Sequence, residues 1–212
     1  MKTSLLARYI KFNGDNGGFG DYSECQKKAE HGDPIAQWIM CNMYYYGDGV
    51  PQNYAESARW CHMAATQGYA DAQARLGRIY SEEGFGVEQD MVESARWWRM
   101  AAEQGLPGAQ EATAANYFGG EGVPKDYVEA EKWARRAAEQ GHTMAQKILA
   151  CLYHKGWIGT PNPVEAYFWL TLAIAAGDKA ATSHRDKITS LLTVQEIASA
   201  ERRAVEWKSK LQ

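Results

Sequence analysis

The chain has 212 residues, a formal net charge of −3 and 45% hydrophobic residues. This small negative charge predicts no broad basic surface for nucleic acid, and no apolar run approaches the roughly 20 residues that span a bilayer. We therefore expect neither nucleic acid nor a membrane among its partners.

Residues 1–21 are predicted to form an N-terminal arm followed by a flexible joint rich in Gly and Asn. Arg8 and Lys11 interrupt the apolar stretch of this arm, which is therefore too short for a secretory signal. The expected location is cytoplasmic, or periplasmic if a leader peptide has been removed.

The stretch YYYGDGVPQNYAE at residues 44–56 could be a phosphate-binding loop, because Gly-x-Gly precedes a predicted helix. A phosphate loop follows a strand, whereas residues 33–46 show the spacing of small and apolar residues of a helix. Similar stretches recur at residues 82–93 and 119–129, about 36 residues apart. The glycines therefore belong to a repeat, and this period is typical of arrays of helix pairs.

The first helix of each predicted repeat begins with Ala-Gln and reaches a tyrosine seven residues after the glutamine. A small residue stands three residues before each tyrosine and predicts close contact between helices. The tyrosines are Tyr44, Tyr80, Tyr117 and Tyr153, and the small residues are Cys41, Gly77, Ala114 and Ala150.

The second helix of each repeat begins at an Asn or Asp that precedes a glutamate by three residues, the pattern of a capping box. A tryptophan, an alanine four residues later and a glycine eight residues later follow in each repeat, which predicts a buried ring and a glycine C-cap. The caps are Asn53, Asp90, Asp126 and Asn162, and the tryptophans are Trp60, Trp97, Trp133 and Trp169. A further capping box is predicted at Thr193 and Glu196.

This order of motifs resembles the Sel1-like repeat, a relative of the tetratricopeptide repeat, with the best match at residues 117–141. The resemblance covers residues 22–177 and implies an all-α fold, a right-handed α-solenoid of about four antiparallel helix pairs. Residues 178–212 are expected to form C-terminal capping helices. The family resemblance also implies a role in protein–protein scaffolding, with the first helices lining a concave face.

If that geometry holds, outward positions of the first helices provide the partner-binding face. Aromatic and arginine side chains are the types that dominate protein interfaces. The predicted site consists of Trp38, Asn42, Tyr45, Tyr46, Arg78, Glu82, Glu111, Phe118, Lys147 and His154. Within it, Tyr45 and Tyr46 are expected to be exposed and the neighbouring Tyr44 to be buried.

Cysteine and histidine side chains offer two other kinds of chemistry. Cys151 and His154 lie one helical turn apart and could form a metal site or a nucleophile and base, but spacing identifies no third group. The four cysteines, Cys25, Cys41, Cys61 and Cys151, show no repeated interval, so free thiols are expected and Cys41 is read as a small residue only.

The leading functional prediction is a non-enzymatic adaptor, a monomer without cofactor or metal, that binds a protein or peptide partner. An alternative suggested by the resemblance is a bacterial immunity protein that neutralises a secreted toxin, for example a phospholipase effector. A metal- or thiol-dependent enzyme is the less favoured alternative.

Overall fold

The computed structural model describes residues 22–210, and over this stretch the chain forms eleven α-helices and no strand. The predicted all-helical fold is confirmed for these residues. The predicted arm and joint at residues 1–21 lie outside the described residues.

The helix boundaries follow the predicted repeat. In chain order the helices are α1 (Tyr22–Glu30), α2 (Pro34–Tyr46), α3 (Tyr54–Thr66), α4 (Ala70–Ser81), α5 (Met91–Glu103), α6 (Pro107–Gly119), α7 (Tyr127–Ala138), α8 (Thr143–Lys155), α9 (Pro163–Ala175), α10 (Ala181–Thr189) and α11 (Val194–Lys210).

The described chain divides into two compact units, with the division between Leu106 and Pro107. In the first unit α2 pairs with α3 and α4 pairs with α5, while α1 packs on α2 and α3 packs on α4. In the second unit α6 pairs with α7 and α8 pairs with α9, and both α10 and α11 pack against α9. Each unit therefore contains two of the predicted helix pairs. The proposed division into an array ending at residue 177 and a cap stays a prediction.

The Gly-x-Gly loops are tight connections between the two helices of a pair. The backbone N–H of each cap residue donates to the carbonyl of the repeat tyrosine, from Asn53 to Tyr44 at 2.9 Å and from Asn162 to Tyr153 at 2.8 Å. Gly47 ends α2 with a φ of 67°, in the left-handed region that glycine adopts at little cost. The glycines therefore allow the chain to reverse direction between the two helices of a pair, as the repeat pattern indicates.

The predicted helix caps are present, but in the four repeats the glutamate does not complete the box. Each Asn or Asp side chain accepts from the backbone N–H of the glutamate, as from Glu56 to Asn53 at 3.1 Å. The glutamate carboxylate instead pairs with a basic side chain, for example Glu56 with Arg59 at 2.9 Å. Only the C-terminal helix α11 has the reciprocal arrangement among these predicted boxes, because the Thr193 N–H donates to Glu196 at 2.8 Å.

The four repeat tryptophans are core residues, as predicted. Trp60, Trp97, Trp133 and Trp169 are all at most 4% exposed. The alanines four residues later, such as Ala64 beside Trp60, are fully buried, so each large ring fills space that small neighbours leave.

The small residues of the first helices allow close contact with the second helices. At Gly77 a Cβ atom would lie 2.6 Å from the Trp98 ring, so only glycine fits there. The Ser94 hydroxyl also donates to the Gly77 carbonyl at 2.6 Å, and Ser57 makes the same bond to Cys41 at 2.8 Å. The predicted close approach of the two helices is therefore confirmed in these repeats.

The expectation of free thiols is wrong for two of the four cysteines. Cys41 of α2 and Cys61 of α3 form a disulfide, with Cα atoms 5.1 Å apart, whereas Cys25 and Cys151 are free. The close approach that selects Gly77 in the next repeat also brings these two cysteine side chains within bonding distance. Cys41 is therefore more than a small residue, since it covalently joins the helices of its pair.

Candidate functional site

The predicted partner-binding side chains fall into two groups, one in each unit. Their role in binding stays a prediction, while the structure shows what surrounds them. The first unit contains Trp38, Asn42, Tyr45, Tyr46, Arg78 and Glu82, and the second unit contains Glu111, Phe118, Lys147 and His154.

Four members of the first group surround Arg75. Its guanidinium lies 4.2 Å from the ring centroid of Tyr45, 5.4 Å from that of Tyr46 and 5.5 Å from that of Trp38. It also donates to the Asn42 amide oxygen at 3.1 Å and to the Tyr46 hydroxyl at 3.3 Å. We call these five residues the arginine cluster. It combines a fixed cation with aromatic faces, an arrangement suited to protein recognition.

Arg75 is absent from the predicted site, although the repeat contains a signal for it. Arg75 occupies the position that Ile39 and Ile148 fill with buried aliphatic side chains in other repeats. A charged residue at a position that is otherwise apolar marks a local function or a special contact.

The expected exposure of Tyr45 is wrong. Its side chain is only 8% exposed because it stacks on Phe85 with ring centroids 5.6 Å apart and meets the edge of Tyr54 at 5.4 Å. Phe85 belongs to the loop of the next repeat, which covers Tyr45 from that side. Tyr46 is 54% exposed, as predicted.

The expected burial of Tyr44 is also wrong, because this side chain is half-buried. Its hydroxyl lies 3.2 Å from the hydroxyl of Tyr22, and burial together with this hydrogen bond raises the pKa of Tyr22 to about 12. The Tyr44 ring packs against the core, while its hydroxyl lies at the edge of the core and bonds to another hydroxyl, so the side chain is only partly buried.

Arg78 and Glu82 form an exposed ion pair with each other at 3.3 Å. Pairs of this kind contribute little to stability, because water screens both charges. Both side chains remain accessible, as the prediction for a binding face requires.

The second unit contains a cavity of about 500 Å³ between α6, α8, α9 and α10. Three of the four predicted side chains of this unit line it. The lining consists of Phe118, Met144, Lys147, Ile148, Ala150, Cys151, His154, Lys155, Leu170, His184, Lys187 and Ile188. We call it the basic cavity. Glu111, the fourth predicted residue, is not in the lining and instead contacts His142 at 3.4 Å.

The lining of the basic cavity combines apolar side chains with basic ones and includes no Asp or Glu. Lys147 is held by Asp178 at 2.7 Å, and this ion pair lowers the pKa of the Asp178 carboxyl. Lys155 and Lys187 are exposed at the cavity, and the buried Nδ1 atom of His154 has no hydrogen-bond partner among the described residues. The cavity therefore favours a ligand that carries negative charge next to an apolar group.

Cys151 and His154 both line this cavity, but their environment does not favour thiol catalysis. Burial raises the pKa of the Cys151 thiol, and the nearby charge of Lys155 lowers it by a smaller amount. A raised pKa keeps the thiol protonated at neutral pH, and the thiolate is the nucleophile. Across residues 22–210 no group of three or more His, Cys, Asp and Glu side chains is placed to hold a metal ion.

The cavity residues outside the first helices are absent from the predicted site. Leu170 comes from α9, and His184, Lys187 and Ile188 come from α10, where the repeat period has ended. For α10 the sequence predicts only a capping helix, which does not show the surface that it faces.

A polar cluster links α7 and α8 in the second unit. Glu131 accepts from Arg135 at 2.7 Å and from the Tyr153 hydroxyl at 2.6 Å. Burial acts to raise the pKa of Glu131, but these hydrogen bonds outweigh it and hold that pKa below its usual value. Burial and the hydrogen bond to Glu131 raise the pKa of Tyr153 to about 12.

In the described part of the chain, no helix combines the length and apolar character that crossing a membrane requires.

Comparison with known proteins identifies the helix pairs. The profile described as Sel1 repeat matches residues 34–69, 70–106, 107–142 and 143–178. None of the curated proteins compared with the chain matches it.

Two solved structures are similar over most of the chain. One is c5321, described as a protective antigen present in uropathogenic Escherichia coli strains and displaying an SLR fold, with a TM-score of 0.77 and 30% identity over 97% of this chain. The other is a Sel1 repeat protein from Oxalobacter formigenes, with a TM-score of 0.68 and 34% identity over 78% of this chain. The chain covers 44% and 48% of these two proteins, less than half of the length of each.

Proposed function

Because the chain belongs to the Sel1 repeat family, whose members are generally helical scaffolds for protein interaction, we propose that it is a non-enzymatic adaptor for one protein or peptide partner. The four Sel1 repeats and the helix pairs of each unit are consistent with the predicted α-solenoid. The partner would bind on the face formed by the first helices of the repeats.

The main structural support for this proposal is the basic cavity of the second unit. Lysine and histidine side chains surround an apolar floor that includes Ile148 and Leu170. Lys147 is paired with Asp178, whereas no carboxylate in the lining pairs with Lys155 or Lys187. A partner segment with Asp or Glu beside a large apolar residue would place its carboxylate near Lys155 and Lys187 and its apolar side chain on the floor. Such a segment has both the charge and the hydrophobic character of the cavity.

The arginine cluster of the first unit is proposed as a second contact surface. Tyr46 is its exposed member, and Arg75 is held between Asn42 and the aromatic rings, so little side-chain entropy is lost when a partner binds. Tyr45 is buried and packs against the Arg75 guanidinium, so it is not itself proposed to contact the partner.

A toxin-neutralising immunity protein is one form of this adaptor. In that case the acidic and apolar segment would belong to the toxin. The chemistry of the basic cavity is the same for a toxin and for any other protein partner, so both forms predict the same recognition.

A displayed library of random decapeptides tests the proposal without a known partner. The wild-type protein should enrich peptides in which Asp or Glu adjoins Leu, Ile, Met or Phe. The double variant Lys155→Glu, Lys187→Glu should lose this enrichment and select basic peptides instead. A control variant, Lys125→Glu, reverses one exposed charge in the loop between α6 and α7 and should select the same peptides as the wild type.

Exposed charge reversals of this kind change the free energy of unfolding by only about 0.5 kcal/mol, so each variant should remain folded. Enrichment of the same acidic motif by the wild type and the double variant would contradict the proposed role of the basic cavity. For the first unit, Tyr46→Ala should leave the melting temperature nearly unchanged, whereas Tyr45→Ala should lower it.

A further inference from the structure

The basic cavity extends along almost the whole length of α8. Its lining includes Met144 in the first turn of this helix, Ile148 and Cys151 in the middle and Lys155 at the end. This spacing places the four side chains on one face of the helix. A rise of about 1.5 Å per residue gives that face a length of roughly 16 Å, or three helical turns. The cavity therefore offers a partner a long contact surface and not a pocket for one side chain.

Two neighbouring helices add different side chains to this surface. α6 contributes Phe118, whose ring centroid lies 5.8 Å from that of Trp157, and Trp157 is 43% exposed. α10 contributes His184, Lys187 and Ile188. A partner segment that contacts both helices therefore needs apolar residues toward α6 and acidic residues toward α10.

The lining offers few acceptors for the backbone N–H groups of a bound chain. Among the described residues it contains no Asp, Glu, Asn, Gln, Ser or Thr, so the imidazoles of His154 and His184 are its only side-chain nitrogen or oxygen acceptors. An extended chain buried here would leave N–H groups without partners, which costs free energy. An α-helix pairs its own backbone groups and needs only side-chain contacts. The lining therefore favours a helical ligand over an extended one.

We propose that the ligand of the basic cavity is an acidic amphipathic α-helix of a partner protein, an inference that rests on the function proposed above. The helix lies along α8 for about three turns, a mode of recognition in which apolar residues recur every three or four positions. Its apolar side chains contact Ile148 and Cys151, and its carboxylates lie near Lys155 and Lys187. At the other end of α8 it reaches Met144.

Three synthetic peptides of fourteen residues test this ligand. The helix-pattern peptide has leucine at its second, sixth, ninth and thirteenth positions and glutamate along one flank of that stripe, with alanine and glutamine elsewhere. The strand-pattern peptide has the same composition, but its leucines stand at every second position. The proline peptide is the helix-pattern peptide with two central alanines replaced by proline, which prevents helix formation.

Fluorescence anisotropy with the full chain measures the three affinities. The helix-pattern peptide should bind at least about tenfold more tightly than either of the others, because only this peptide can present all its leucines on one face of a helix. A free peptide of this length is only marginally helical in water. The carbon-13 shifts of its Cα atoms should therefore move to helical values only when the protein is added.

A matched pair of protein variants tests the length of the contact. Met144→Asp removes an apolar side chain that is 48% exposed and adds a negative charge at the far end of α8 from Lys155. It should weaken binding of the helix-pattern peptide at least about fivefold. Ile35→Asp is the control, since Ile35 is 40% exposed and occupies the equivalent position in the first repeat, within the other unit. Both positions lie in the first turn of a helix, which favours Asp, so both variants should fold.

The outcomes separate this inference from the proposed function. Equal affinities for the three peptides, all lost in the Lys155→Glu, Lys187→Glu variant, would overturn the helical ligand and leave the acidic recognition in place. Equal binding of the helix-pattern peptide to the wild type and to that variant would overturn the proposed function as well. Absence of saturable binding, absence of helical shifts in the bound peptide, or equal effects of Met144→Asp and Ile35→Asp would also overturn the helical ligand.

Discussion

Removal of the disulfide between Cys41 and Cys61 should destabilise the first unit by about 3 kcal/mol. The two cysteines are 20 residues apart in sequence, and closing a loop of this length in the unfolded chain lowers its entropy by an amount worth about 3 kcal/mol at 25 °C. The double variant Cys41→Ala, Cys61→Ala is the appropriate perturbation. The third repeat has alanine at both equivalent positions, Ala114 and Ala134, so two alanines suit this contact.

Denaturant unfolding, followed by circular dichroism, measures the effect. The oxidised wild type should be about 3 kcal/mol more stable than both the reduced wild type and the double-alanine variant. The last two proteins should resemble each other, since both lack the covalent link.

A thiol count provides an independent measurement. The denatured oxidised protein should react as a chain with two thiols, those of Cys25 and Cys151, and the reduced protein as a chain with four. Four reactive thiols before reduction, or equal stabilities of the oxidised and reduced proteins, would refute the assignment of this disulfide as a stabilising link.

Three further predictions concern the core and the polar cluster. Trp133→Ala should lower the free energy of unfolding by about 3–5 kcal/mol, since the ring is buried, and an unchanged denaturation midpoint would show that it is not core. Gly77→Ala should cost about 1–3 kcal/mol because its Cβ would meet the Trp98 ring, whereas Gly108→Ala, with open space around it, should not destabilise. Glu131→Gln should lower the free energy of unfolding at neutral pH. The difference in this free energy between variant and wild type should shrink as pH falls through the lowered pKa of Glu131, because the wild-type carboxylate then becomes protonated. A pH-independent difference would contradict this.

The helix pairs were predictable because each structurally required residue type recurs at the equivalent position in all four repeats. The tryptophans, the Asn and Asp caps and the small residues each recur at fixed spacing, and the structure places each type as that spacing indicates. Recurrence separates a structural requirement from a coincidence of composition, which is why the Gly-x-Gly loop was not mistaken for a phosphate site.

The errors lie where one repeat departs from the others or where a contact joins two repeats. The disulfide was missed although Cys61 aligns with Trp98, the residue that contacts Gly77 in the next repeat. Cys41 aligns with that glycine, so comparing the two contact positions together would have predicted the pair. The burial of Tyr45 depends on Phe85 in the loop of the next repeat, and spacing within one helix cannot show such a contact.

The candidate site was predictable only in part for the same reason. Phe118, Lys147 and His154 were selected from first-helix positions, and all three line the basic cavity. Lys187 lines the same cavity from α10, which lies outside the repeat, so no periodic position indicated it. The position of a helix beyond the last repeat depends on tertiary packing, which a periodic pattern does not encode.

Comparative affinity purification from the native cell tests whether the protein binds a partner through the basic cavity. The wild type, the Lys155→Glu, Lys187→Glu variant and the Lys125→Glu control are used as baits, and the captured proteins are quantified by mass spectrometry. One protein should be recovered with the wild type and the control and be depleted with the double variant. Recovery of that protein at equal levels with all three baits would contradict partner binding through the basic cavity.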